Sequence, residues 1–249
     1  VSKGLILGST VAVVMLAFGP SAQAGPPYVT DDPQPTDPGK WETYGFASGT
    51  VLRRATAGNG GFDINYGGAR DLQLSAVVSL AYDHQSGAGA RIGIADTELG
   101  AKYRFLHQAA GSDLPDVGLF PKIDLPTGGK RFGSGRVGFS IPLWAQKDFG
   151  PWSVFGGGGW TYNPGAGNRS YSFEGAALTR QITKRLSLGG EVYHQTADAI
   201  DTATSTGLDV GMSLQVAPKW AIIGSGGPMI QHRSAAGKYA FYLALEFHN

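Results

Sequence analysis

The chain contains no cysteine. Disulfides, thiolate nucleophiles and cysteine metal sites are therefore excluded. Charge is scarce as well: Asp, Glu, Lys and Arg make up 16% of 249 residues, with 20 basic against 19 acidic. So even a balance leaves no basic footprint for nucleic acid. With 42% hydrophobic residues the chain is not a charged, disordered polymer either. After residue 24 no apolar run approaches the ~18 residues of a membrane-spanning helix. No segment shows a 3.6-residue period. Metal-ligand spacings, a phosphate loop and a His-Glu helix motif are all missing, so no metal and no cofactor is expected. Glycine is what the chain has in excess: 39 residues, about twice the usual share.

The first segment reads as an address. Lys3 is followed by an apolar stretch from Leu5 to Phe18, then Gly19-Pro20-Ser21 and Ala22-Gln23-Ala24. A charge, an apolar run and a small-residue close are the order of a secretory signal peptide over 1–24, cleaved after Ala24. Residues 25–40, with five prolines and three aspartates, read as an irregular N-terminal arm. Asp31 and Asp32 within it are expected in a solvated turn rather than at a cation.

From Trp41 the period is two. In 72–82 the apolar set is Leu72, Leu74, Ala76, Val78, Leu80 and Tyr82, and Gln73 and Ser75 lie opposite. The same alternation marks 97–105, 208–216 and 239–247. It predicts twelve strands at 41–51, 61–69, 71–83, 93–106, 117–125, 135–147, 152–162, 170–180, 185–196, 206–217, 220–228 and 238–248. Short connections at 69–71, 148–151, 181–184 and 217–219 alternate with longer ones at 52–60, 84–92, 126–134, 163–169, 197–205 and 229–237. The 107–116 link is the exception, long on the short-turn side.

Two all-β architectures carry such strands. A β-sandwich turns its apolar face to a second sheet. An outer-membrane barrel turns it to lipid and its polar face to a lumen. The secretory leader, the even strand count, the alternating loop lengths and the aromatics near strand ends favour the barrel. The expected fold is thus all-β, a transmembrane antiparallel up-and-down β-barrel of about 12 strands over 41–249. Gly156 to Gly159 mark a tight or bent part of its wall.

Parity assigns faces. The residues expected inside are Asp63, Glu98, Lys102, Arg104, Lys122, Asp124, Arg136, Glu174, Arg180, Glu191, Asp209 and Glu246. Mixed signs suit both a cross-strand network and a polar path. Glu98, Lys102 and Arg104, three charges within seven residues, are the first wall candidates. Arg136, Glu174, Glu191 and Glu246 are expected to join them from other strands. No catalytic residue is assigned. His194 has the parity of Leu188 and Val192, which face lipid, whereas Ser170 has that of Glu174, read as inside; the two point apart.

Several segments resemble one known group. They are TDDP at 30–33, INYGGARDLQLSAVVSLAYD at 64–83, GIADTELGAKYRF at 93–105, PKIDLPTG at 121–128, QKDFGPWSVFGGGGW at 146–160 and LGGEVYHQ at 188–195. These resemble the outer-membrane proteins grouped under the MetA pathway of phenol degradation, often called transporters. The resemblance implies an outer-membrane barrel of a Gram-negative bacterium that takes up small solutes, aromatic or hydrophobic ones among them, and is not an enzyme. It names no binding residues to carry over. The partners so expected are membrane lipids, a small solute and the barrel-assembly machinery, whose terminal aromatic signal would be Phe247, two residues before the end. A closed structural or ligand-binding barrel is the next reading, and a barrel lipid hydrolase the third.

Overall fold

The computed structural model describes residues 27–52, 55–87, 89–109, 111–129, 131–232 and 238–249. The expected signal segment and its cleavage point lie outside the described residues. Fourteen β-segments follow in order. They are β1 (Trp41–Val51), β2 (Ala55–Ala69), β3 (Leu72–Gln85), β4 (Gly89–Ile94), β5 (Thr97–Leu106), β6 (Asp116–Leu119) and β7 (Lys122–Leu125). Then come β8 (Gly138–Phe149), β9 (Trp152–Tyr162), β10 (Tyr171–Thr183), β11 (Leu186–Gln195), β12 (Ser205–Ala217), β13 (Trp220–Pro228) and β14 (Tyr239–His248). Neighbours pair antiparallel, and β14 pairs back onto β1 from Glu42↔His248 to Val51↔Tyr239. That seam closes the barrel and removes the open edge that lipid would penalise.

Both β4 and β5 pair with β3, and both β6 and β7 lie between β5 and β8. Each duo is one interrupted stave, so the barrel has twelve staves. One interruption is Ala95-Asp96. The other is Phe120-Pro121, where proline has no N–H for the ladder. The flanking amides still find partners: Phe120 N donates to Pro142 O and Ala101 N to Pro121 O, each at 3.0 Å.

Strand ends differ from expectation at the long-loop side. The expected loops at 52–60 and 84–92 are mostly strand: β2 begins at Ala55, and β3 and β4 run on to Gln85 and from Gly89. Hairpins rising above the lipid have no apolar face to maintain, so their sequence loses the alternation while the ladder continues.

The outer wall is apolar. Leu74, Leu80, Ile141, Leu143, Leu178, Val192, Val210 and Leu243 are all exposed. Aromatics flank this band at both ends, with Trp41 against Tyr66 and Trp220 against Phe247 on the short-turn side and Phe139 against Tyr162 on the other. Among the described residues no helix is long and apolar enough to cross a membrane. Inside, a small apolar cluster of Tyr44, Ala221, Ile223 and Ala244 braces the closing seam. The rest of the interior is mostly polar, with Phe120, Trp144, Phe155, Tyr193 and Met229 buried among the polar side chains.

Candidate functional site

The interior holds the N-terminal arm. Residues 27–37 cross the lumen instead of lying in solvent, and wall partners recur along them. Pro27 O accepts from Ser225 Oγ at 2.6 Å. Tyr28 lies against Phe155 and over Gly211, where a Cβ would meet its ring at 2.7 Å. The backbone N–H groups of Val29 and Thr30 donate to the two oxygens of Glu191 at 2.8 and 2.9 Å. Gln34 Nε2 donates to Asp116, and Thr36 N to Gln73 Oε1. Polar backbone inside a barrel needs partners. The wall supplies them to Pro27 O and to the N–H groups of Val29, Thr30 and Thr36, and the arm's own Asp31 and Asp32 take the N–H groups of Asp32 and Gln34.

Asp31 and Asp32 correct the expectation of a solvated turn. Asp31 Oδ1 lies 3.0 Å from the Lys102 ammonium and Asp32 Oδ1 lies 3.9 Å from it. Lys102 and Asp32 are both buried. Burial pushes the Asp32 carboxyl well above the usual carboxylate range, with the Lys102 charge opposing that rise. Two acids on one cation need that relief: with Asp32 protonated the trio is neutral.

The other wall charges are placed as follows. Arg104 reaches Asp71 at 2.9 Å and Asp116 at 3.7 Å, and also bonds Gln34 of the arm. Asp71 sits in the tight turn before β3 with φ 63°. A hydrogen bond from His107, then Arg104, hold its pKa below the usual value. Glu98 pairs with Lys122 at 3.1 Å. Lys102 and Lys122 also sit over the Phe120 ring, 5.0 and 4.6 Å from its centre. Glu191 faces inward as an anchor for the arm. Glu246 is buried inside near the seam, 3.3 Å from His248 Nδ1.

Three expected inward residues are elsewhere. Arg136 lies exposed in the connection before β8, which starts at Gly138, not 135. Glu174 and Arg180 are on the outer face of β10. The parity was inverted there because β10 carries Tyr171, Phe173, Gly175, Ala177 and Thr179 inside. Phe173 packs against Trp144, and Gly175 gives room to Thr30 of the arm. Arg180 instead lies over Trp152, 5.0 Å from the ring centre, at the short-turn boundary. Glu174 consequently shares the outer face with its cross-strand partner His194, rather than pointing away from it. The His194 ring is engaged with Thr206 Oγ1 at 2.8 Å.

Beside the arm runs a cavity of about 1010 Å³. Its lining begins at Trp41, Glu42 and Asn249 on the short-turn side, passes Asp31 to Asp37 of the arm, and continues to Thr161, Tyr171 and Gln195 towards the long loops. Glu98, Lys102 and Arg104 line it; Arg136, Glu174, Glu191 and Glu246 do not. The arm therefore narrows the lumen without filling it. Local alternation could place Lys102 and Arg104 inside. Their partners in the arm carry no local signal, although a wall rich in inward charge beside an Asp-bearing arm is consistent with such pairing. Among the described residues no cluster of three His, Asp or Glu side chains fits a metal ion.

No protein-family model matches the sequence, and no curated protein does. Solved structures with the same fold exist. An outer membrane channel from Pseudomonas putida F1 superposes with a TM-score of 0.68 at 15% identity, covering 87% of this chain and 96% of that one. The KdgM porin in complex with disordered oligogalacturonate gives 0.56 at 11%, covering 84% and 98%. The NanC porin gives 0.54 at 9%, covering 83% and 98%. At such identities the likeness shows an outer-membrane barrel fold.

Proposed function

We propose that this chain is an outer-membrane channel of a Gram-negative bacterium for passive uptake of small solutes, and that its N-terminal arm forms the constriction. The observation that carries this reading is the cavity that follows the arm from one end of the lumen towards the other. A structural barrel filled by side chains would leave no such space. The exterior supports the location: an apolar belt bounded by aromatics matches a bilayer's hydrocarbon and its two interfaces. The partners follow from it, namely lipid around the belt, a solute inside, and an assembly machinery that inserts the barrel.

Small aromatic solutes are the class the cavity favours within this reading. Tyr44, Phe120, Trp144, Tyr171 and Phe173 line it, so a ring has faces to lie on between the polar groups. The resemblance to the phenol-degradation group points the same way. The test is solute-driven swelling of liposomes carrying the folded protein, with phenol-sized aromatics against sugars of similar mass. Faster swelling with the aromatics supports the reading. A folded barrel that passes neither belongs to the closed class, which the many wall contacts of the arm would then explain.

A further inference from the structure

The wall charges of the lumen are not free in equal measure. Nine carboxylates line the cavity, against four Lys or Arg side chains. Three of those four are already engaged: Lys102 by Asp31 and Asp32, Lys122 by Glu98, and Arg104 by Asp71 and Asp116. Only Lys40, at the short-turn mouth, stands outside an ion pair among the described residues.

The acids are left over. Among the described residues no Lys or Arg forms an ion pair with Asp63, Asp124, Glu42 or Asp148. Asp63 accepts from Asn65 Nδ2 at 3.0 Å, and Asp148 from Gln146 Nε2 at 3.0 Å, both neutral donors. Asp63 and Asp124 lie beyond the arm on the long-loop side, flanking the Glu98–Lys122 pair. Glu42 and Asp148 lie at the short-turn mouth. A solute crossing the lumen meets unneutralised carboxylates on both sides of the constriction.

A second observation points the same way. Gln146, 2% exposed and part of the same wall, has a buried side-chain carbonyl oxygen with no donor among the described residues. The matching orphan donor, Trp144 Nε1, is neutral and attracts no anion by charge.

We propose that the passage selects cations over anions, so that among charged solutes small enough to enter it favours the positive ones. The physical reason is that fixed charge in a narrow lumen with low-dielectric walls concentrates the opposite ion and excludes its own sign. Lys102 and Arg104 do not oppose this, because their charges are held by the arm, the turn and Asp116. Removing the arm would release Lys102 and weaken the preference, while Arg104 would keep Asp71 and Asp116.

This inference rests on the channel reading, and one experiment separates the two. The folded protein is placed in a planar bilayer with a tenfold KCl gradient, and its reversal potential gives the K⁺ to Cl⁻ permeability ratio. A ratio on the order of ten is expected from the concentrating effect of such a lumen. Asp63→Asn with Asp124→Asn should bring it severalfold closer to one, with the heat-shifted gel band of the folded barrel retained. Current steps with a ratio at or below one overturn the inference and leave the channel reading standing. A folded barrel without current steps overturns both. A selective wild type whose ratio the double variant leaves unchanged overturns the assignment to Asp63 and Asp124.

Discussion

Lys102 is where the arm is held by charge. Its ammonium is buried between the wall and the arm, with Asp31 at 3.0 Å. Breaking a buried pair by removing one partner costs about 3–5 kcal/mol, because the other charge stays behind without compensation. Lys102→Met should therefore loosen the arm while leaving the barrel ladders intact. Protease cleavage within 27–40 should become detectable in the folded barrel, and an arm as protected as in the wild type would contradict this. Asp32 adds a pH dependence. Desolvation on seating raises its pKa, and a carboxyl raised by seating takes up a proton when the arm seats. The seated state is then favoured at acid pH and weakens as pH climbs from about 4, the ordinary carboxylate value, through the raised one. Conductance should be lowest in acid and rise across that window, and Asp32→Asn should flatten the rise. A variant with the wild-type profile would show that other carboxyls control it.

At the scale of elements, the arm and the strands obey different rules. Tyr28 needs the bare backbone of Gly211 beneath it. Gly211→Leu places a side chain in that space and touches no charge, so it should unseat the arm by shape alone. The expected result is a conductance severalfold above wild type in a barrel with a normal heat-shifted band; wild-type conductance would contradict the seating. The strands were legible in the sequence because lipid demands an apolar outer face, and β3, β12 and β14 show it residue by residue. In β10 the signal failed: aromatic Tyr171 and Phe173 are inside, and polar Ser172 and Glu174 outside, near the long-loop boundary. Alternation gives a period, and only its phase tells inside from outside. In β10 the arm and Trp144 set that phase, and both are distant in sequence. The arm itself was illegible for the same reason. Asp31 and Lys102 are 71 residues apart, and nothing local in TDDP announces a lysine on the wall. The break at Phe120-Pro121, by contrast, follows from proline's missing N–H.

For the whole molecule, the channel reading puts lipid against the exterior and the solute in the interior. A charge placed outside should then cost stability according to depth. Leu143, in the middle of β8 and exposed, faces the centre of the belt, and Phe149 ends the same strand at the boundary. Leu143→Arg should lose roughly 2–4 kcal/mol and Phe149→Arg about 0–1 in unfolding from bilayers. Equal losses would contradict the placement of the belt. The candidate site was half visible from sequence. Glu98, Lys102 and Arg104 do line the cavity, whereas the constriction between them is made by a segment that pattern alone assigned to solvent.

Whether the arm constricts an otherwise open barrel is decided by single-channel conductance with and without it. The protein and a variant lacking residues 27–36 are refolded, checked for the heat-shifted band, and compared in planar bilayers. Small discrete steps are expected for the whole chain and severalfold larger ones for the variant. Equal conductance in the two, or none in the variant, would contradict it.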